Sequence, residues 1–170
     1  MSFTKDVIVS PADLSKDLKK IITVKLLEQV IGNCNLKYGY FIKISNIGDI
    51  KNGLIMEGSG DIIFNITYKV VLMRPFKGEI CEGIIDKIFE EGGIHVKVGP
   101  MVVLIPKDEL KTSYILDKRN LTYNDEKNNI EFKVGSKVRF RYRDIQFDKN
   151  EFKPIGSMKE KYFGPIQENN

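Results

Sequence analysis

Residues 62–73, IIFNITYKVVLM, alternate strictly between two sets of positions. One set is entirely apolar and consists of Ile62, Phe64, Ile66, Tyr68, Val70 and Leu72. Because successive side chains of a strand point to opposite faces, this pattern predicts a long antiparallel strand with one buried face. The first half of the chain must therefore supply partner strands and a cover for that face.

A break in the pattern follows this strand at once. Its residues are Pro75, Phe76, Lys77 and Gly78, and a second strand-like segment then begins at residues 78–89. Proline cannot donate a hydrogen bond to a sheet and glycine permits a sharp turn, so one sheet can end and another begin here. The sequence therefore predicts two domains, at residues 1–76 and 77–170, with these four residues as the seam.

The composition narrows the class of protein. The 170 residues are 42% apolar and 29% charged, and the formal net charge of +4 permits nucleic-acid contact without requiring it. Cys34 and Cys81 are far apart and, with a single histidine, form no zinc-site pattern. We predict no metal, no cofactor and a reducing compartment. We also expect no secretion signal and no membrane span, since no apolar segment reaches about 18 residues.

The segment Ser10-Pro11-Ala12-Asp13 predicts the start of a helix that runs to about Ile31 and stops at Gly32. Its apolar residues fall into two groups. The first group is Leu14, Leu18, Ile21 and Ile22, and the second, which we expect to point roughly the other way, is Leu26, Leu27 and Val30. Either one core surrounds this helix or the helix contacts two different bodies.

Two short strands are predicted between the helix and the long strand, at residues 40–44 and 53–56. The glycine-rich segment Gly58-Ser59-Gly60 therefore joins two strands and is predicted to be a hairpin tip. This tip, with Met56, Ile62 and Ile63 beside it, is either an ordinary turn or an apolar plug for a partner's pocket.

The second half is predicted to be all β. Strands are expected at residues 78–89, 94–98, 101–105, 137–147 and 151–158, with a short turn or helix at 107–110. Residues 111–129 are polar, rich in asparagine and without a clear period, which predicts a long connection. Five short strands with one long connection between the third and the fourth are typical of an OB-type barrel.

The sequence gives little support to catalysis. His95 lies in the middle of a predicted strand, no serine or cysteine occupies a nucleophile-elbow motif, and no phosphate-binding glycine loop precedes a helix. We therefore predict that the chain is not an enzyme and has no catalytic residue.

One predicted strand carries a row of basic side chains. Its cations are Lys137, Arg139, Arg141 and Arg143, at intervals of about 6.6–6.8 Å. The row can follow a nucleic-acid backbone, or it is a solvated edge that charge protects from aggregation. Phe89 and Tyr142 could stack on bases, but a place in the core is the favoured interpretation for both.

Several segments resemble a known family. The blocks KLLEQVIGNC, KYGYFI, DIIFNITYKVVLMRPFKGEI, VKVGPMVVLIP and PIGSMKEKYFGPI occur in the order found in the seventh-subunit family of eukaryotic DNA-directed RNA polymerase II. The resemblance runs from about Lys25 to the C-terminus and is weakest at residues 111–129. It implies an α+β chain, with a truncated RNP-like domain of helix and antiparallel sheet followed by an OB-fold barrel.

The resemblance also implies a function. Members of the family are non-catalytic nuclear subunits of the polymerase stalk, which serve initiation and later stages of transcription. They form a heterodimer with the fourth subunit and dock on the core, near the largest subunit and the clamp, along the exit path of nascent RNA. Two alternatives stay open: a stalk subunit of another RNA polymerase, or a free-standing OB-fold factor that binds single-stranded RNA.

Site residues follow from the same resemblance. The segment that wedges into the core corresponds here to Met56, Glu57, Gly58, Ser59, Gly60, Asp61 and Ile62. The aromatic that commonly enters the second barrel strand is replaced by Gly92, and only His95 offers a ring. RNA contact would then rest on Lys97 and on the row from Lys137 to Arg143. We expect weak, sequence-tolerant and salt-dependent binding.

Overall fold

A computed structural model describes residues 1–14, 17–51 and 53–166. The chain divides into two compact units, Met1–Arg74 and Pro75–Asn170. Each unit is described by itself below, and the domain boundary between residues 76 and 77 stays a prediction.

An antiparallel sheet forms most of the first unit. Its strands are β1 (Ser2–Val9), β2 (Cys34–Asn35), β3 (Gly39–Ile47), β4 (Leu54–Ile55) and β5 (Ile62–Met73). The order is β1-β5-β3-β2, with β4 also paired to β5. Strand β5 has the bounds that the alternation predicts. Strand β1 was not predicted, because Lys5 interrupts the apolar set of Phe3, Val7 and Val9 on its inner face.

The helix begins later than the sequence predicts. Pro11–Asp13 forms an isolated 3-10 turn, and helix α1 spans Leu18–Val30. Asp17 caps the helix by accepting a hydrogen bond from the backbone N–H of Lys20, at 3.4 Å. The predicted cap at Ser10 is therefore wrong, and residues 15 and 16 of the predicted helix lie outside the described residues. The predicted stop is close to the observed end, since Gly32 adopts φ +85°.

One stripe of α1 is buried against the sheet. Ile22, Leu26 and Val30 follow one another at four-residue intervals, and all three pack against the apolar face of β1 and β5. The prediction that Leu26 and Val30 point away from Ile22 is therefore wrong, because residues i, i+4 and i+8 share a helix face. Leu27 instead is exposed.

We predict that Leu26→Ala lowers the free energy of unfolding of the first unit by about 2–5 kcal/mol, because it leaves a cavity in this core. Leu26 is 0% exposed, whereas Val24 on the opposite side of α1 is 45% exposed. The matched control Val24→Ala should change that free energy by less than about 0.5 kcal/mol. Urea unfolding followed by circular dichroism measures both, and equal effects would contradict a single buried stripe.

Nine strands form the described part of the second unit. They are β6 (Ile80–Ile88), β7 (Ile94–Val98), β8 (Met101–Ile105), β9 (Ile115–Asp117), β10 (Thr122–Asp125), β11 (Ile130–Phe132), β12 (Lys137–Asp148), β13 (Glu151–Ser157) and β14 (Gly164–Pro165). A short 3-10 helix spans Lys107–Glu109.

Five of these strands close into a barrel. Each neighbouring pair in the circuit β6-β7-β8-β13-β12 is hydrogen-bonded, and β12 pairs again with β6. The β8–β13 pair is parallel and the others are antiparallel. Val96, Val103 and Phe140 are completely buried inside the barrel. The prediction of an OB-type barrel is confirmed.

The long connection at residues 111–129 is not structureless, as the polar sequence suggested. Strands β9, β10 and β11 form a separate three-stranded sheet. Its apolar side contains stacked rings of Tyr123 and Phe132, with centroids 5.2 Å apart. The buried carboxylate of Asp125 accepts hydrogen bonds from Ser113 and Asn128. Strands of three or four residues are too short to show a period, which is why the sequence did not reveal them.

The C-terminal segment closes over the barrel. Strand β14 pairs with Val138 and Arg139 of β12. The same two residues pair with β6 on the other edge of β12. The ammonium of Lys111 donates hydrogen bonds to the backbone carbonyls of Lys161 and Phe163. The C-terminal segment is therefore held by Lys111 as well as by β12.

Candidate functional site

Strand β12 presents its basic side chains outward, as its alternation predicts. Val138, Phe140 and Tyr142 are buried, while Lys137 and Arg139 on the opposite face are exposed. Arg141 continues the same face but is half-buried. These three cations are brought together on the outside of the barrel.

Arg143 does not continue the row. The pairing of β12 with β13 runs from Tyr142–Gly156 directly to Asp144–Ile155, so Arg143 is the extra residue of a β-bulge. The bulge turns its guanidinium towards Glu109, whose side chain is only 6% exposed, and the two form an ion pair. Lys159 approaches the same carboxylate at 3.6 Å. Arg143 therefore neutralises a buried charge, and the predicted even row of four is wrong at this position.

The remaining cations of the row also have acidic partners. Glu82 on β6 lies 2.6 Å from Arg139 and 3.2 Å from Lys137. Glu160 lies 2.9 Å from Arg141, whose guanidinium also stands 5.5 Å from the ring centre of Phe163. The row is therefore largely compensated in charge, which weakens its field at a distance.

Lys97 lies on the same outer face but on another strand. It pairs in register with Ile84 of β6, which in turn pairs with Lys137 of β12. Lys97 and Lys137 are thus about 10 Å apart, with Ile84 between them. The structure brings Lys97 and the start of the row onto one surface.

His95 belongs to a partly exposed corner of this surface. Its ring meets the ring of Phe89 edge to face, with centroids 4.6 Å apart, and Lys87 stands 5.0 Å from the Phe89 ring centre. Burial lowers the pKa of His95 below its ordinary value, and the nearby charge of Lys87 lowers it further. His95 therefore offers a neutral ring at pH 7 rather than a positive charge.

The two aromatics that the sequence analysis singled out differ in their surroundings. Tyr142 is 1% exposed, inside the barrel, as the favoured interpretation predicted. Burial raises the pKa of its phenol, beside Cys81. Phe89 is only half-buried, so the prediction of a core position holds for Tyr142 and not for Phe89.

Other residues on this face were missed by sequence reasoning. Lys87 joins the His95 corner through the pairing of β6 with β7, and Val102 and Leu104 of β8 are exposed apolar residues next to Lys97 and His95. Only the order of the strands brings them together. The alternation along β8 could have suggested an outward Val102 and Leu104, but not what lies beside them.

The predicted docking tip is a tight hairpin between β4 and β5. The backbone N–H of Met56 donates to the carbonyl of Asp61 at 2.7 Å, and that of Gly60 donates back to the carbonyl of Met56 at 3.1 Å. Ser59 accepts a hydrogen bond from the N–H of Asp61. Gly58 adopts φ +95°, which only glycine adopts without strain.

The apolar surface of the tip lies beside the predicted segment rather than in it. Leu54 and Ile55 are 74% and 73% exposed, more than Met56 at 39%. Leu54 also aligns through Ile63 with the exposed Ile8 of β1, on the sheet face that α1 does not cover. Ile55 pairs with Ile62 and therefore lies on the other face of β4. The name tip strip is used below for the four residues Ile8, Leu54, Ile55 and Ile63. Of these four residues, only Ile63 was predicted to lie beside the tip, because β1 was not predicted and β4 has only two residues.

The predicted seam residues begin the second unit. Phe76 and Glu79 close a turn, with the N–H of Glu79 donating to the carbonyl of Phe76 at 3.1 Å. The N–H of Gly78 donates to the carbonyl of Tyr142 on β12, so the segment is tied to the barrel from its first residues. Lys77 lies 3.9 Å from Asp144.

Within residues 1–14, 17–51 and 53–166, no three His, Cys, Asp or Glu side chains are grouped so that they could hold a metal ion. In the same part of the chain, no helix has the length and apolar character needed to cross a membrane.

The chain matches two known domain families. Residues 4–60 match a family model described as the SHS2 domain found in the N terminus of Rpb7p/Rpc25p/MJ0397, and residues 74–159 match the S1 RNA binding domain. The chain is thus an SHS2 domain followed by an S1 domain, the second being an OB-fold barrel. This is the α+β arrangement that the resemblance implied.

Relatives match over almost the whole chain. A Saccharomyces cerevisiae protein named DNA-directed RNA polymerase II subunit RPB7 is 31% identical over 98% of this chain and 100% of its own length. One of the same name from Schizosaccharomyces pombe is 32% identical over 92% of this chain and 91% of its own. A Dictyostelium discoideum protein named DNA-directed RNA polymerase II subunit rpb7 is 27% identical over 98% and 97%. The chain belongs to the family of the seventh subunit of RNA polymerase II, and the resemblance stated from the sequence is confirmed.

We predict that the pKa of His95 lies below the ordinary histidine value of about 6.5. Because it is the only histidine, its ring protons can be followed by NMR without assignment. Lys87→Ala should raise this pKa by removing a nearby positive charge, whereas the control Lys5→Ala, in the other unit, should not. Since the unfolded chain binds the proton more readily, the contribution of His95 to stability is present above pH 6.5 and is lost as pH falls. An ordinary or raised pKa would contradict the burial of this ring.

Proposed function

We propose that this chain is a non-catalytic stalk subunit of RNA polymerase II in the nucleus. In this proposal it forms a heterodimer with the fourth subunit, docks on the core enzyme near the largest subunit and the clamp, and guides nascent RNA. The observation that carries the proposal is the combination, on one chain, of an exposed apolar tip and an S1 barrel. Relatives named as RNA polymerase II subunits match the chain over nearly their full length.

The tip strip is the surface proposed for docking on the core. Leu54 and Ile55 are exposed by about three quarters at the end of a hairpin that its own hydrogen bonds make rigid. A rigid apolar projection loses little conformational entropy when it enters a pocket, so most of the gain from burial is retained. An exposed patch of this kind is a common mark of a protein interface.

The fourth subunit is proposed to bind the edge or the helix of the first unit. Among the described strands, β1 pairs only with β5, so its other edge offers backbone groups for strand addition. Val24 and Leu27 of α1 are exposed apolar residues that a partner could cover instead. Either contact would add burial to a small unit whose own core is limited.

The barrel is proposed to contact single-stranded RNA through the outer face of β6, β7 and β8. Lys97 and Lys87 supply positive charge there, and Phe89 and His95 supply partly exposed rings. Charge attracts the phosphate backbone of any sequence, and the rings allow limited stacking. Binding through so few groups is expected to be weak and tolerant of sequence.

A stalk subunit of a different polymerase is the second candidate. A protein named DNA-directed RNA polymerase V subunit 7, from Arabidopsis thaliana, is 26% identical to this chain over 89% of its residues. Purification of the tagged chain from its own cells, with identification of the largest co-purifying subunit, separates the two candidates. Recovery of the chain without any polymerase subunit would contradict both and would favour a free-standing RNA-binding factor.

We predict that the double change Leu54→Asp and Ile55→Asp weakens retention of the chain on the core polymerase at least about tenfold, because two charges would enter an apolar contact. Binding to the fourth subunit should be unchanged. The control Leu36→Asp alters another exposed leucine of the first unit and should leave retention intact. A pull-down of the core on the immobilised heterodimer measures this, and normal retention of the double variant would exclude the tip as the docking surface.

We predict that the double change Lys87→Ser and Lys97→Ser lowers RNA affinity and flattens its salt dependence. Removing one lysine–phosphate interaction should reduce the slope of log K against log salt by about 0.7. The control Lys43→Ser with Lys69→Ser removes the same charge from the first unit. These lysines are better targets than Arg143, whose removal leaves buried Glu109 poorly neutralised. Fluorescence anisotropy with a labelled RNA measures the slope of log K against log salt. An unchanged slope would show that this face of the barrel does not contact RNA.

A further inference from the structure

Glu82 occupies a central position in the basic row. It lies directly opposite Arg139 in the register of β6 and β12, on the outer face of the barrel. One of its carboxylate oxygens accepts hydrogen bonds from two nitrogens of Arg139, at 2.6 Å and 3.0 Å. Its other oxygen lies 3.2 Å from the ammonium of Lys137. One carboxylate therefore engages the first two cations of the row.

This arrangement persists at neutral pH. The hydrogen bonds from Arg139 and Lys137 lower the pKa of the Glu82 carboxyl, so the group stays ionised throughout the neutral range. All three side chains remain partly exposed, so a ligand in solution can reach them.

We propose that Glu82 limits the RNA affinity of the barrel by occupying Lys137 and Arg139 with an internal carboxylate. This inference rests on the proposed RNA contact of the same domain and names the residue that sets its strength. Glu82 occupies the Nε and Nη2 side of the Arg139 guanidinium, so a phosphate must either displace Glu82 or bind the remaining donors beside a carboxylate that repels it. Displacement would leave the carboxylate facing the RNA backbone, where like charges repel.

The same arrangement affects the salt dependence. With Glu82 ionised, the three side chains carry a net charge of +1 rather than the +2 of two free cations. Fewer phosphates are then neutralised, and fewer counterions are released when RNA binds. The barrel is therefore set to hold RNA loosely, which suits a surface along which a transcript must move.

The experiment compares Glu82→Gln with Glu151→Gln in the full-length chain. Both remove one negative charge from the barrel, but Glu151 lies at the far end of the β12–β13 hairpin, about 30 Å along the strand from Arg139. The probe is a fluorescent single-stranded RNA of about 16 nucleotides, the upper site size of an OB fold. Anisotropy titrations at several salt concentrations give affinity and slope together.

We expect Glu82→Gln to raise RNA affinity roughly fivefold, as one freed unit charge near a phosphate would. The slope of log K against log salt should steepen by up to about 0.7 for each cation released. Glu151→Gln should change the affinity less than about twofold, because screening removes its influence over that distance.

A second variant separates pairing from net charge. Glu82→Asp keeps the negative charge but shortens the side chain, so it cannot reach both cations. We expect a smaller rise in RNA affinity than for Glu82→Gln. If Glu82→Gln folds poorly, Glu82→Asp by itself still tests the proposal. Thermal unfolding of each variant, followed by circular dichroism, establishes that the barrel is intact at the temperature of the titration.

The inference is overturned if both Glu82 variants bind RNA no more tightly than Glu151→Gln. If Lys87→Ser with Lys97→Ser still lowers the affinity in that case, the proposed RNA contact stands and only the role of Glu82 is wrong. If neither the lysine changes nor the Glu82 changes alter binding, the RNA contact of this barrel fails as well.

Discussion

The second unit depends on the double pairing of β12. The first half of this strand, from Lys137 to Arg141, pairs with β6, and the second half, to Asp148, pairs with β13, so β12 joins two strands of the barrel that are not paired with each other. Where the strand passes from one partner to the other, its register needs the bulge at Arg143. The inward Phe140 and Tyr142 fill the core at the same point. The core and the charged outer face of the barrel are therefore two sides of one strand.

Charge on the barrel is arranged to cancel rather than to accumulate. Glu82, Glu109 and Glu160 each face a member of the basic row, and the bulge directs Arg143 to the buried one. Pairing a buried carboxylate is necessary because an isolated one would be strongly destabilising. The exposed pairs contribute little to stability, so their main consequence is for what the surface can bind. The net charge of +4 for the whole chain therefore suggests a stronger positive field at the outer face of the barrel than its paired side chains produce.

The first unit shows the opposite arrangement, because it leaves apolar surface uncovered. Its small core uses one stripe of α1 and one face of the sheet. Ile8, Leu54 and Ile55 of the tip strip, and Val24 and Leu27 on the helix, remain exposed. In a domain of this size, burial against partner chains is a direct way to gain the hydrophobic free energy that its own core does not supply. Membership in a family of multisubunit polymerase proteins agrees with such a surface.

Local sequence patterns were sufficient to predict the features that repeat along the chain: strand β5, the strands of the barrel and the inward side chains of β12. Period-two alternation is a local consequence of backbone geometry, and family-specific blocks indicated the class of protein. Tertiary structure alone decided which charges meet. Glu82 is 57 residues from Arg139 and Glu109 is 34 from Arg143, and no local rule relates them. It also decided the small sheet of β9, β10 and β11 and the placement of Leu54 and Ile55 on β4, since strands of two to four residues are too short to carry a period.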